Sequence, residues 1–407
     1  LAQTGTTGAI AGVARDTTGA VLPGVTVEAA SPALIEKART VVTDDQGNYK
    51  IVDLRPGVYS VTFTLPGFAT FKREGLELTA GFTAGANAEM KVGSLEETIT
   101  VTGASPVVDV QNVRTQNVLS RAVLDGLPNN KSIPAFAALT LGATVGAGNQ
   151  DVGGNKGEPP IGLSIHGSRF NDSKLLFDGM TYNSLHFEGG GQMRIFLLNQ
   201  TAVRETVLGT GGIIAESDTG GVQMNNVPRE GSNKLGVYVN LGYTNESLQG
   251  DNITDAIRSR GLTTVNPVKQ IYDFGIGVGG PIAKDKLWFF SANRWWNSGE
   301  YIPGLFYNKS TSNFRYEADT TRRAYRDNPS RDNAFRFTWQ AARKHKVTFS
   351  DNIQVSCQCF QGISANSSPE AVPHLRYGPS HLIQTTWNYP STNRLLIEAG
   401  ATFAMFE

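Results

Sequence analysis

"NAFRFTWQAARKHKVTFSDNIQVSCQ", residues 333–358, decides how the rest of the chain is read. In its first half Phe335, Phe337, Trp339 and Ala341 fall on one parity, and Arg336, Thr338 and Gln340 on the other. After Arg343-Lys344-His345 the pattern resumes. Val347, Phe349, Ile353 and Val355 oppose Thr348, Ser350, Asn352, Gln354 and Ser356. Alternation at period two marks a strand, so the stretch predicts two strands and a tight turn. The apolar side then faces either a protein core or lipid.

The same design recurs through residues 234–407. Leu235, Val237, Val239, Leu241 and Tyr243 share one parity, as do Tyr272, Phe274, Ile276 and Val278. Further on, Ile383, Thr385, Trp387 and Tyr389 fall together, and so do Leu395, Ile397, Ala399, Ala401, Phe403 and Met405. "KLWFFSANRWWNS" is richer in aromatics and less regular. Seven strands are expected in all. The connections 281–284, 342–345 and 390–393 are short, whereas 247–269, 299–330 and 358–380 are long and polar. Outer-membrane barrels alternate tight turns with long loops in this way, and their strands need about ten residues. The opposite parity carries Gly, Thr, Asn and Gln, which suits a wet or plugged lumen. Trp288, Trp295, Trp296, Trp339 and Trp387 are expected as an interfacial girdle. The alternative is a sandwich core with solvated outer faces. A sheet in lipid must close, and plugged transporter barrels have roughly 22 strands. Seven strands are too few, so the chain is expected to be the N-terminal piece of a longer protein.

Composition agrees with turn-rich β structure: 407 residues include 45 Gly, with 18% charged and 40% hydrophobic. The net charge of zero offers no bulk attraction to nucleic acid. No run of eighteen apolar residues exists, which excludes a transmembrane helix but not a barrel. The start, "LAQTGTTG", reads as the remnant of a removed signal peptide. The two cysteines, Cys357 and Cys359, are too few for a disulfide scaffold. A bridge across one residue is expected to be strained, leaving free or externally paired thiols as an equal possibility.

Residues 1–93 contain short β-rich runs between turn signals, the pattern of a β-sandwich. "TDDQGNYKIVDLRPGVYSVTFTLPGF", residues 43–68, resembles the carboxypeptidase regulatory-like, transthyretin-like domain, with its T-D-x-x-G-x-Y, L-x-P-G-x-Y and G-F. The resemblance implies a non-catalytic module. Residues 104–233 read as a mixed α/β domain. A helix is predicted over "QNVLSRAVLDGL", 116–127, with Val118, Leu119, Val123 and Leu124 on one face, and a shorter one over "SIPAFAAL", 132–139. Residues 144–160 read as a loop-like insertion, and "GLSIHG", "SKLLFDGM" and "AVRETVLGT" as short strands.

The order of these parts resembles a TonB-dependent outer-membrane transporter of the Oar-like type. "EETITVTG", residues 96–103, resembles the TonB box, an extended segment that pairs with the periplasmic protein TonB. Thr98, Ile99, Thr100, Val101 and Thr102 are strong β formers at a domain junction, suited to strand donation; an ordinary interdomain strand is the alternative. With Glu97 they are the expected TonB-binding residues. Ile165-His166-Gly167 and Leu176-Phe177-Asp178-Gly179 resemble the plug signature, with His166 where Arg is usual, and Glu205 matches near the plug end. Asp178-Gly179 also reads as a plain hairpin turn. The resemblance implies a sandwich at 1–93, a TonB-box linker at 94–103, a plug at 104–233 and the first barrel strands at 234–407. It implies TonB with ExbB and ExbD as partners, outer-membrane lipid around the barrel, a transported ligand and accessory outer-membrane partners, in a Gram-negative cell. Tyr182, His186 and Arg194 are candidate ligand contacts, though loop packing explains such residues equally. No catalytic constellation, metal site or cofactor motif is found: "GTGG" at 209–212 lacks the Lys-Ser/Thr of a phosphate loop. The chain is not expected to be an enzyme. A structural or secretion-related outer-membrane scaffold and a soluble carbohydrate-binding β protein are the rivals.

Overall fold

The computed structural model describes residues 6–34, 37–93, 98–102, 115–126, 140–145, 163–169, 172–183, 196–211, 220–250, 252–261, 267–310, 315–364, 366–392 and 395–405. The N-terminal strands are β1 (Gly8–Asp16), β2 (Thr26–Ala30), β3 (Ala38–Val42), β4 (Asn48–Leu54), β5 (Gly57–Thr64), β6 (Thr70–Leu78), β7 (Thr83–Gly85), β8 (Ala88–Met90) and β9 (Thr98–Thr102). One sheet groups β1 with β4, β7 and β8; the other runs β3-β2-β5-β6-β9. Between them Ile10, Val27, Ile51, Tyr59, Val61, Phe63, Leu76 and Met90 are buried. The family-like motif residues make the corners. Asp44 Oδ1 accepts from the N–H groups of Gln46 and Asn48, an Asx turn that starts β4. The Tyr49 and Tyr59 hydroxyls donate at 2.6 Å to the carbonyls of Ala86 and Arg55, so both rings enter the core with their polar tips satisfied.

The second unit contains β10 (Thr115–Ser120), α1 (Arg121–Gly126), β11 (Ala143–Val145), β12 (Leu163–Ile165), β13 (Lys174–Phe177), β14 (Met180–Thr181), β15 (Val203–Gly211) and β16 (Gln223–Pro228). Its main sheet runs β10-β15-β16-β13-β14. The predicted helix over 116–127 is corrected here: its first half is β10, and only 121–126 is helical. Val118 pairs opposite Val207 in a five-stranded sheet, and this tertiary ladder outweighs the local helical spacing. Leu124 is buried, while Val123 is 41% exposed. The second predicted helix, 132–139, lies outside the described residues, as does most of 144–160.

The third unit holds β17 (Gly236–Asn245), α2 (Asp255–Ser259), β18 (Val268–Ala283), β19 (Leu287–Asn308), β20 (Ala318–Asp327), β21 (Ser330–Ala342), β22 (His345–Gln358), β23 (Leu375–Thr392) and β24 (Leu395–Met405). They form one antiparallel sheet, β17-β18-β19-β21-β22-β23-β24, with β20 also on β19. The long loop expected at 299–330 is largely strand. β19 pairs through 287–296 with β21 and through 299–308 with β20, so β20 and β21 lie end to end. The extension is held by Leu305, Phe360 and Ile363 with Tyr307 and Tyr325, and by Lys269 Nζ 3.3 Å over the Tyr325 ring. Seven antiparallel courses result.

The sheet is inside-out relative to a water-soluble protein. Phe335, Phe337 and Trp339 are 40%, 39% and 51% exposed, while Asp332, Arg336 and Thr338 between them are at most 6% exposed. On β22 Phe349 is exposed while Thr348, Ser350, Asn352 and Gln354 are buried, and β23 buries Ser380, Gln384, Thr386 and Asn388. Among the described residues no second sheet covers the apolar face, which argues against the sandwich alternative. The tryptophan girdle needs correction. Trp295 and Trp339 point outward, but Trp288 and Trp296 are buried, because β19 turns Trp288, Phe290, Ala292, Arg294 and Trp296 inward. Trp288 donates to Asn233 Oδ1 at 2.8 Å, and the Arg294 guanidinium covers the Trp296 ring. Cys357 and Cys359, left open by sequence, are bonded to each other with Cα atoms 5.2 Å apart, within the range a disulfide spans.

Candidate functional site

The polar face of the barrel sheet closes on the second unit through specific contacts. The 3-10 turn Gln200–Ala202 is capped by Asn199, whose Oδ1 accepts from the Thr201 N–H. Asn199 Nδ2 donates in turn to Asp332 Oδ1 on β21 at 2.8 Å. Gln354 on β22 donates to the Leu197 carbonyl at 2.6 Å and accepts from its N–H at 2.8 Å, completing that backbone as another strand would. Gln384 on β23 donates to the Phe177 carbonyl at 3.0 Å. The inward glycines of β18 make room: a Cβ on Gly275 would lie 2.2 Å from Thr201 Oγ1. Asn199, Asp332, Gln354 and Gln384 are buried here with hydrogen-bond partners across the seam.

Three units meet at the rim that carries the short turns. Arg336 Nη2 on β21 lies 2.8 Å from Asp178 Oδ2 and 2.9 Å from Glu230 Oε1. Glu230 Oε2 is 2.5 Å from Arg55 Nη2 of the sandwich. Lys346 Nζ on β22 is 3.5 Å from Asp53 Oδ1, which also accepts from Asn388 Nδ2 at 3.1 Å. Arg204 Nη2 donates to the Pro56 carbonyl, and Glu205 Oε1 accepts from the Ala80 N–H at 2.9 Å. The charges alternate from sandwich to plug-like sheet to barrel wall, so this is a latch joining all three.

Burial alone would raise the Glu230 carboxyl, but Arg55, Arg336 and Lys346 outweigh it and hold it well below the ordinary 4.5. Glu205 goes the other way: burial raises it, only partly offset by the Ala80 N–H and Arg204. The sign for the latch follows. A depressed acid stabilises the folded contact above its unfolded value of 4.5, and that contribution is lost as pH falls through the folded value. Protection from hydrogen exchange near the Arg55–Glu230 contact, taken relative to the intrinsic rate at each pH, is expected to stay high at neutral pH and to fall under acid. Glu230→Gln is expected to be loose already at neutral pH and to lose that pH dependence; wild-type protection unchanged down to strong acid would refute this.

The residues singled out from sequence fall as follows. Thr98–Thr102 form β9, paired in parallel with β6 in the register Thr70↔Thr98 to Glu74↔Thr102. Glu97, His186 and Arg194 lie outside the described residues. Ile165 is buried, and His166 and Gly167 adopt φ of 49° and 81°, a turn closed by Ser168 N–H on the Ile165 carbonyl. Asp178 and Gly179, at φ of 54° and 76°, link β13 to β14 as a two-residue hairpin turn. Asp178 thus serves both the turn and the latch. Tyr182 is buried edge-on against Phe196 in the plug-like core, away from any open surface. Sequence reasoning missed Arg336, Glu230, Arg55, Asp53, Asn199 and Gln354. Only Arg336 carries a local signal, a single cation on an otherwise neutral or acidic inward parity.

A carboxypeptidase regulatory-like domain model matches residues 9–91. The TonB-dependent transporter Oar of Myxococcus xanthus is 32% identical over 280 residues, 66% of this chain and 24% of that protein. The chain therefore spans about a quarter of that relative's length. The ferric enterobactin receptor PfeA of Pseudomonas aeruginosa shares the fold, with a TM-score of 0.51, 11% identity and coverage of 73% of this chain and 42% of that one. In sequence and in fold, the chain is similar to an Oar-like TonB-dependent receptor: a carboxypeptidase regulatory-like sandwich, a plug and the opening strands of a large β-barrel.

Proposed function

We propose that the chain is the N-terminal part of an outer-membrane active transporter, gated by a plug and energised through TonB. It is a transporter and not an enzyme. The reading divides the chain at 1–93, 94–103, 104–233 and 234–407, as sandwich, TonB-box linker, plug and barrel start. The observation that carries it is the sheet with apolar residues outward and Asp332, Arg336, Gln354 and Gln384 inward on a folded domain. Only lipid outside and a plugged lumen inside make that burial pattern favourable. The sandwich contacts the short-turn rim, the periplasmic side of such barrels, which supports a reading in which residues 98–102 are reached by TonB. ExbB and ExbD would supply the energy to TonB, and the ligand is left unnamed. A scaffold of the same architecture would share this membrane seat but not depend on TonB.

The membrane seat is tested by Phe337→Lys in mid-strand. A lipid-facing Lys costs about 2–4 kcal/mol at the bilayer midplane. In the full-length protein refolded into phosphatidylcholine vesicles over a urea series, the folded fraction should fall clearly, with Phe337→Leu close to the parent. An unchanged folded fraction for the lysine variant means that water, not lipid, bathes this face.

A further inference from the structure

The strand β9 already has a partner. Its five residues extend the sheet β3-β2-β5-β6-β9, pairing in parallel with β6 over Thr70–Glu74. The sheet ends there: among the described residues no strand pairs with the other edge of β9. A strand alternates its N–H and C=O groups between two edges, so half of this ladder is satisfied by the sandwich and, among the described residues, half is open. Thr100 is exposed, and no proline, bulge or covering helix among the described residues blunts the edge, the usual devices against unwanted pairing.

We infer that the regulatory-like sandwich is part of the docking platform for the energising partner: β6 holds β9 extended, and a strand of TonB adds to the open edge as the sixth strand. The inference rests on the proposed TonB reading and adds what that reading does not contain, a role for β6. Ordering an extended pentapeptide costs conformational entropy, and β6 has met that cost before the partner arrives. Displacement of β9 would instead break the existing parallel ladder and bare β6 as well. Addition keeps both ladders and makes one continuous sheet, the geometry of strand augmentation. Force on TonB would then reach the sandwich as well as the plug. The sandwich is tied to the latch by Arg55 and Asp53.

A reversible crosslink decides between addition and displacement. Lys72 and Thr100 are register partners across β6 and β9, and neighbouring strands lie within disulfide reach. The full chain carrying K72C and T100C, with C357S and C359S so that only one bond responds to reductant, is titrated with the purified periplasmic domain of TonB. Addition predicts that the oxidised, locked form binds within about twofold of its reduced form. A loss of tenfold or more on oxidation, restored by dithiothreitol, overturns the inference and makes β6 a competitor of TonB. The same titration separates the underlying reading: if the parent chain with its native cysteines binds no TonB at all, the energising partner itself is wrong.

Discussion

Arg336→Ala is expected to open the seam between plug and barrel. The guanidinium stands between Asp178 and Glu230, and all three side chains are less than one-fifth exposed. Removing the cation leaves two carboxylates facing each other with little water. Breaking one partner out of such a buried set costs about 3–5 kcal/mol, although the intact set is not itself proof of net stability. Glu230 keeps Arg55, while Asp178 loses the guanidinium. Its hairpin turn should loosen, and with it the Phe177 carbonyl that Gln384 holds. In the full-length protein, proteolysis within 163–183 should accelerate by two orders of magnitude or more, and leak conductance across a planar bilayer should rise. Asp178→Asn added to Arg336→Ala should recover part of the loss, because it removes one of the two facing carboxylate charges. If Arg336→Ala matched the parent in protease resistance and conductance, the latch would be a bystander.

The parts of this architecture visible in the sequence are those governed by local period. Alternation at 335–341 and 347–355 fixed which side of β21 and β22 is apolar, and Asp178-Gly179 announced its turn. Residue 116–120 shows the limit: helical spacing of Val118 and Leu119 was overridden by a ladder to β15, ninety residues away. The 299–330 extension was hidden because Tyr307 and Tyr325 earn their burial from Phe360, which no local window contains. The latch was hidden for the same reason. Asp53, Glu230 and Arg336 come from three units, and an isolated acid or base in a strand looks like any solvated charge. Inward Trp288 and Trp296 were misplaced because an aromatic-rich strand has no clear polar parity to orient it.

Ile99→Pro with Val101→Pro is expected to remove capture by TonB. In the proposed reading the segment acts through its backbone, with β9 recognised as a strand whatever its side chains contribute. Each proline deletes an N–H, and because positions 99 and 101 share parity, both donors are lost from the same edge of a five-residue strand. Two bonds at about 1–1.5 kcal/mol each, taken either from the partner's ladder or from the β6 ladder that holds β9 extended, weaken that pairing by roughly fiftyfold. The locked φ and the steric demand of the rings add to this. The sandwich core should survive, since β9 is an edge strand among the described residues and Phe63, Leu76 and Met90 cluster with Ile10, Val27 and Ile51. The barrel should survive too, because among the described residues the strand paired with 98–102 is β6 and not a barrel strand. The double variant is therefore expected in the membrane at parental level, unable to retain the periplasmic domain of TonB. Thr100→Val, which keeps every backbone donor, should bind nearly as the parent does. Equal capture by the proline variant would show that residues 98–102 are an interdomain tether and that any pulling force enters elsewhere.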